Sequence, residues 1–252
     1  MLKRSAALLL CLSVFLSLVS CAANLAERKN KAEASKRLGE GYLGEGNVTE
    51  ALRELLKAEK LYDKDASLQN DLGLAYFAKG EFDLTIAHFK KALKLKHDYS
   101  EALNNMGAVY LRLEQWDNAI ECFNRAHDNL LYATPHFALS NLGEAYRLKK
   151  DYGRAIDSYK KALEVNLRFP EAHRGLGLVY IATGNYKAAV SSLEKAVKYA
   201  PRFAVAYYDL GRALSRRHNT KKAVFAFKKV VELVPETPLA ERALAEIKKL
   251  QE

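Results

Sequence analysis

The sequence has few of the residues that break helices or build reactive sites. Its 252 residues include five prolines, one tryptophan and three cysteines. No stretch alternates apolar and polar residues as a half-buried strand does, so we expect an all-α chain. The six histidines are scattered without metal-ligand spacing, and there is no glycine-rich phosphate loop or nucleophile elbow. We therefore expect no metal, no cofactor, no small-molecule substrate and no enzymatic activity.

The three cysteines are too few for a disulfide framework, and they lie in segments with different predicted roles. Cys11 lies in an N-terminal apolar run, Cys21 follows that run, and Cys122 stands alone. Cys122 precedes Phe123 in a predicted packed helix, so we expect a buried and unreactive thiol. A redox pair is not expected.

Positive charge exceeds negative charge, but it is spread along the chain. The formal net charge is +10. It falls to +8 when Lys3 and Arg4 are subtracted with the N-terminal segment. Nucleic-acid binding would need a basic stripe with base-stacking aromatics, and here the tyrosines occupy packing positions. We expect no nucleic-acid partner, and we interpret the surplus as a source of solubility or of attraction to an anionic membrane surface.

A glycine recurs at a nearly constant interval from residue 39 to residue 211. The steps between successive glycines are 34, 34, 36, 34 and 34 residues. A large apolar residue precedes each glycine, and a small residue followed four positions later by a large one comes after it. These residues occur at helical spacing, which predicts two short helices in each period. The glycines are Gly39, Gly73, Gly107, Gly143, Gly177 and Gly211.

This pattern resembles the tetratricopeptide repeat, a helix-turn-helix unit of about 34 residues. The resemblance implies an all-α fold, an α-solenoid of six repeats with a C-terminal capping helix at residues 236–252. We expect each glycine to let its two helices approach closely, as between Gly177 and Ala189. The predicted repeats are residues 32–65, 66–99, 100–135, 136–169, 170–203 and 204–235.

The N-terminal segment predicts an exported and anchored protein. Residues 1–20 combine a positive start with an apolar run, as a signal peptide does. The tetrapeptide at residues 18–21, Leu-Val-Ser-Cys, resembles the lipobox of bacterial lipoproteins, which implies acylation of Cys21 after cleavage. Residues 21–31 are then the lipidated cysteine and a tether that leads to the first helix. The alternative is an uncleaved transmembrane anchor.

The third step, which is two residues longer than the others, lies between repeats three and four. Its segment 127–135 follows the motif Asn104-Asn105-Met106-Gly107 and precedes Asn141-Leu142-Gly143. Together with Cys21, these residues resemble the type IV pilus biogenesis/stability lipoproteins, the outer-membrane pilotins. The resemblance implies a non-enzymatic protein that binds secretin subunits and promotes their multimerisation. With Ala22 after the cysteine, it also implies an outer-membrane location facing the periplasm. For the longer third step, the alternative is a tolerated loop insertion. For the function, the alternative is a general scaffold lipoprotein for envelope or cell-wall proteins.

In the tetratricopeptide family the first helix of each repeat lines the inner curve of the array, where partners bind. The positions next to the packing stripe are apolar in repeats two, three and five, which predicts a trough for an amphipathic helix or an extended apolar segment. The alternative is that Leu74, Phe77 and Leu111 pack against a neighbouring first helix. The predicted partner-binding residues are Asn70, Leu74, Phe77, Asn104, Ala108, Leu111, Arg147, Leu178 and Ile181.

Overall fold

The computed structural model describes residues 24–252, in which every regular element is an α-helix. The signal peptide and Cys21 lie outside the described residues. Helix α1 covers residues 24–44, so the described part of the predicted tether, residues 24–31, is helical and exposed. The prediction of an all-α fold built from helix pairs is confirmed.

Twelve further helices follow α1 within the described residues, and all contain 13 or 14 residues. They are α2 (Val48–Leu61), α3 (Ala66–Lys79), α4 (Phe82–Leu95), α5 (Ser100–Arg112), α6 (Trp116–Asp128), α7 (Pro135–Leu148), α8 (Tyr152–Val165), α9 (Pro170–Ala182), α10 (Tyr186–Tyr199), α11 (Ala204–Arg216), α12 (Thr220–Leu233) and α13 (Pro238–Gln251).

The repeated glycines hold the two helices of each repeat together. A Cβ atom on Gly177 would lie 2.5 Å from Leu193 Cγ, and one on Gly73 would lie 2.5 Å from Phe89 Cε1. Real Cβ atoms do not approach side-chain carbons that closely, so only glycine fits without movement. Each of the six repeat glycines faces the large buried residue of its own second helix in this way. These facing residues are Leu55, Phe89, Phe123, Tyr159, Leu193 and Phe227.

The turn between the two helices of each repeat uses a left-handed backbone conformation. Three turns place glycine there, as at Gly184 with φ of 76°. The other three place Glu114, Lys150 and His218 at the same position, with φ between 56° and 62°. A non-glycine residue is less favourable in this conformation. The turn geometry is therefore set by the helix packing, and the glycine helps it without being required.

The described chain forms two compact units, residues 24–105 and residues 106–252. Unit 1 has a core between α1, α2 and α3, formed by Ala32, Leu55, Ala58, Leu68, Leu72 and Ala75. In unit 2, consecutive helices pack in order from α6 to α13, and the first helices α7, α9 and α11 also pack on one another in sequence. This is the neighbour-to-neighbour packing of a repeat array.

Helix α13 covers the last repeat, as expected of a capping helix. The hydroxyl of Thr237 accepts a hydrogen bond from the backbone N–H of Ala240 at 3.3 Å, and Pro238 occupies the first turn. Ala243 and Ile247 are buried in one core with Phe227 of α12. The apolar side of repeat six is thereby removed from water.

Candidate protein-binding faces

The first-helix face of unit 1 is the side of α3 that carries Asn70, Leu74 and Phe77. Leu74 is half-buried, and Phe77 is 37% exposed. The Phe77 ring leans on Phe82, with ring centroids 6.0 Å apart. These two predicted residues present an apolar surface to solvent next to the repeat turn.

Asn70 lies below this surface and supports it. Its side chain is buried, and its Oδ1 accepts a hydrogen bond of 3.0 Å from Nδ2 of Asn105. Its own Nδ2 donates to Asp71 Oδ1 at 3.3 Å. Asn104, the next predicted residue, is partly buried on α5. The asparagines at consecutive repeats therefore tie α3 to α5 within unit 1.

Asp71 is the unusual polar group of this unit. Its Oδ2 atom is buried and has no hydrogen-bond partner among residues 24–252. Burial first, and then the charge of Glu40, raise the pKa of Asp71 to about 7. The face thus holds a carboxyl group that is only partly ionised near neutral pH.

Lys36 is the buried cation of unit 1. Its Nζ lies 2.9 Å from Asp65 Oδ2 and 2.9 Å from Glu33 Oε2. Burial lowers the pKa of Lys36, but the hydrogen bonds to these two carboxylates outweigh it and raise the pKa above its ordinary value. Lys36 is therefore fully occupied within the fold and is not a free ligand for a partner's carboxylate.

In unit 2 the predicted apolar positions are partly exposed on the first helices. Ala108, Leu111, Leu178 and Ile181 are all half-buried. Leu111 packs against the core that contains Phe123, and Ile181 packs against the core that contains Phe227. Each of these two side chains therefore has one side in the protein and one side available to a partner.

Arg147 is held in place by a bidentate ion pair. Its Nε donates to Glu144 Oε2 at 2.7 Å and its Nη2 donates to Glu144 Oε1 at 2.5 Å. The Tyr159 hydroxyl donates to the same Glu144 Oε2 at 2.9 Å. Burial raises the pKa of Glu144, but Arg147 outweighs this effect and the net pKa is lowered, so the carboxylate stays ionised.

Gly175 makes room for this cluster. A Cβ on Gly175 would lie 2.2 Å from Tyr159 Cζ and 2.7 Å from its hydroxyl oxygen. Repeat four is the one with tyrosine at the facing position, where repeats two, three and six have phenylalanine and repeats one and five have leucine. The glycine two residues before Gly177 therefore accommodates the hydroxyl group that orients Glu144 and Arg147.

A second ion-pair cluster lies further along unit 2 and was not predicted. Asp209 is buried, and its two oxygens accept from Arg174 Nε at 2.8 Å and from Arg212 Nη1 at 3.4 Å. Arg174 and Asp209 are 35 residues apart, close to one repeat length. Opposite charges at that separation on first helices are the sequence feature that would have revealed the pair.

The first-helix face of unit 2 also contains a small polar cavity of about 280 Å³ beside Ile181. Because most of its lining is polar or charged, it fits a charged or hydrogen-bonding group better than an apolar side chain. Its lining residues are Ile181, Tyr186, Tyr208, Arg212, Ser215, Arg216 and Glu246.

The longer third step forms an ordered loop between α6 and α7. Asn129 Oδ1 accepts from the backbone N–H of Leu131 at 3.0 Å, and Tyr132 is buried beneath the loop. Leu130 and Leu131 are 99% and 87% exposed. The extra residues therefore place two apolar side chains in solvent without disturbing the helices on either side.

The remaining chemistry of the described residues is structural. Cys122 is buried, and burial raises the pKa of its thiol to about 11. Across residues 24–252, no three metal-ligating side chains lie close enough together to hold a metal ion. In the same range, none of the helices combines the length and the apolar content that a membrane span requires.

Comparison with known proteins identifies the scaffold. Two tetratricopeptide repeat models match the chain, one at residues 64–130, 98–168 and 137–202, and the other at residues 180–247. The chain belongs to the tetratricopeptide repeat family. The repeat is a protein-binding scaffold, so the exposed first-helix faces of the two units are candidate binding surfaces.

Solved structures share this fold at low sequence identity. PilF of Pseudomonas aeruginosa superimposes with a TM-score of 0.74 at 21% identity, over 87% of this chain and 99% of PilF. PilW, a widely conserved type IV pilus biogenesis factor, superimposes with a TM-score of 0.77 at 20% identity, over 84% of this chain and 98% of PilW. MamA is 30% identical over 67% of this chain, with a TM-score of 0.54. No curated protein matches the chain.

Proposed function

We propose that this chain is a non-enzymatic, pilotin-like lipoprotein of a type IV pilus system. It binds secretin subunits and promotes their localisation and multimerisation in the outer membrane. The observation that carries the proposal is the likeness in fold to PilF and PilW over 99% and 98% of those chains. The resemblance of residues 18–21 to a lipobox supports the same assignment, because acylation of Cys21 would hold a tetratricopeptide array at a bacterial membrane.

The anchor in this proposal is Cys21. Acylation of its thiol and of the new amino group would attach two or three acyl chains, and each buried methylene contributes about 0.8 kcal/mol to membrane affinity. With Ala22 as the next residue, the acylated chain is sorted to the outer membrane and faces the periplasm. Replacement of Cys21 by serine should leave an uncleaved or soluble precursor, and the variant should disappear from outer-membrane fractions.

The binding surface in this proposal is the first-helix face. In unit 1 it offers the apolar pair Leu74 and Phe77 beside the weakly ionised Asp71. In unit 2 it offers the half-buried Leu178 and Ile181 among fixed arginines. An apolar or amphipathic segment of the secretin would bury these side chains, at about 25 cal/mol per Å² of apolar area.

The double variant Leu74→Asp, Phe77→Asp tests this surface. Both side chains are partly exposed in the free protein, so we expect the thermal unfolding transition to change little. A partner that covers them would have to bury an unpaired carboxylate, which costs several kcal/mol, and each 1.4 kcal/mol lowers affinity about tenfold. We expect loss of secretin multimers and of surface pili, with the protein still in the outer membrane.

The matched control is Leu84→Asp, Leu95→Asp on the second helix α4. These leucines are each 44% exposed and lie in the same repeat, but on the helix that does not form the face. The control should retain secretin multimers. If the Leu74→Asp, Phe77→Asp variant folds and still supports secretin assembly, this face is not the binding site. Co-purification of cell-wall enzymes, without any secretin subunit, from detergent-solubilised membranes would favour the general scaffold.

A further inference from the structure

Unit 1 ends in a surface that the described residues, 24–252, leave uncovered. The large residue before the repeat glycine is buried in repeats two to six, as with Leu72 and Leu210, but its counterpart Leu38 in α1 is 48% exposed. Leu25, near the start of the described chain, is 45% exposed. We call the surface formed by α1 and the second half of α2 the end face.

An apolar groove of about 850 Å³ runs along the end face between α1 and α2. Its apolar lining comes from Ala34, Leu56 and Leu61, together with the aliphatic stems of longer side chains. Four cations, one carboxylate, Glu54, and one hydroxyl group, Ser35, form the rest of the lining. The cations are Lys31, Arg53, Lys57 and Lys60.

The carboxylates near this groove are already neutralised by their own helices. Glu54 lies 3.2 Å from Lys57 Nζ, Glu27 lies 2.6 Å from Lys31 Nζ, and Glu50 pairs with Arg53. Lys60 also lines the groove and is exposed, and Arg28 is exposed one helical turn before Lys31. The end face therefore presents excess positive charge around an apolar floor, which fits an anionic and partly apolar occupant.

Chain length decides which occupant is within reach. Two residues, Ala22 and Ala23, separate Cys21 from the first described residue, Asn24, which makes three steps along the chain of at most about 3.6 Å each. An acylated Cys21 would thus hold the start of α1 within roughly 11 Å of the lipid headgroups. Arg28 and Lys31 lie on the next two turns of that helix.

We propose that the end face lies on the membrane, with its lysines and arginines at the phosphates of anionic phospholipids and its apolar floor against the interface. The inference rests on the anchor at Cys21, and it is independent of the identity of the secretin. Near an anionic leaflet each basic residue raises the bound population about fivefold. Reversal of two lysines should therefore reduce the docked population by more than about twentyfold.

The test reconstitutes the full chain into vesicles of phosphatidylcholine, with or without phosphatidylglycerol, in the absence of any other protein. A polarity-sensitive fluorophore on Ala34→Cys reports from the groove, and the same probe on Ser191→Cys in α10 is the matched control. Cys122 is buried and should not react. We expect blue-shifted emission from position 34 only in the anionic vesicles, lost at high salt, and water-like emission from position 191 throughout.

Charge reversal completes the test. Lys57→Glu, Lys60→Glu should abolish the shift at position 34, whereas Lys160→Glu, Lys161→Glu on α8 should not. Equal emission in neutral and anionic vesicles would overturn the proposal, as would a shift that appears only after a secretin subunit is added. Only chains acylated at Cys21 are reconstituted, so the introduced cysteine is the accessible thiol and its emission decides the proposal.

Discussion

Asp71 in unit 1 and Asp209 in unit 2 occupy the same position of their repeats, two residues before the glycine. Asp209 is bound by Arg174 and Arg212, whereas Asp71 faces Glu40 and has a buried oxygen without a hydrogen bond from the described residues. The helix geometry is the same, and the neighbours differ. The comparison shows that the scaffold fixes where a side chain lies, while the adjacent repeats decide what that side chain does to stability.

The largest expected effect on the free energy of unfolding comes from the repeat glycines, whose packing the two units share. Gly73→Leu and Gly177→Leu should each lower the free energy of unfolding of their unit by roughly 1–3 kcal/mol or more, because the new side chain meets Phe89 or Leu193. Thermal unfolding measures the change. Gly41→Ala is the control, since apart from its own helix backbone and chain neighbours no atom lies within 4 Å of its Cβ position, and it should stabilise by up to about 1 kcal/mol. An unchanged melting temperature for both leucine variants would contradict the packing role of the glycines.

The buried ion pair of unit 2 should give a loss that is at most as large. Asp209→Asn leaves Arg174 and Arg212 without their carboxylate, but both arginines are partly exposed and water compensates them in part. We expect a loss of about 1–3 kcal/mol in denaturant unfolding. The control is Asp117→Asn, which breaks the exposed pair with Lys149 and should cost less than about 1 kcal/mol. Equal losses would show that burial of Asp209 does not matter.

The same substitution in unit 1 should have the opposite sign. The pKa of Asp71 is about 7 in the fold and is lower in the unfolded chain, so ionisation disfavours the fold. The penalty is absent below about pH 4, grows as the pH rises, and is complete above about pH 7. Asp71→Asn should therefore stabilise by about 1–2 kcal/mol at alkaline pH, after allowance for coupling to Glu40. It should change little near about pH 4. Destabilisation at alkaline pH would show that the ionised carboxylate is needed.

The repeat pattern alone was sufficient to predict the helix pairs. The glycine at each period and its large partner on the second helix are local in sequence, and their contact recurs in all six repeats. The left-handed turn residues were harder to predict, because Glu114, Lys150 and His218 replace glycine at three of the six positions. Helix packing determines the left-handed backbone conformation at these three positions, and the amino-acid composition does not predict that conformation.

The chemistry of the first-helix faces could be predicted only in part. A helical wheel places Asn70 and Arg147 beside the packing stripe, but it does not show that Asn70 is buried against Asn105 or that Arg147 is held by Glu144, which also binds Tyr159. These contacts depend on which residue lies one repeat away or on the facing helix. Asp209 was missed for the same reason, since its main partner Arg174 is 35 residues distant.

The fit between Tyr159 and Gly175 has a consequence for how such an array can evolve. Repeats multiply by duplication, and identical units can be exchanged or reordered. A copy of repeat four placed before any other repeat would set the Tyr159 hydroxyl against a residue with a side chain, because the position of Gly175 holds arginine, aspartate or asparagine in the other repeats. Repeats four and five are therefore matched to each other through one hydroxyl group, and separating them would require a second substitution at one of the two facing positions.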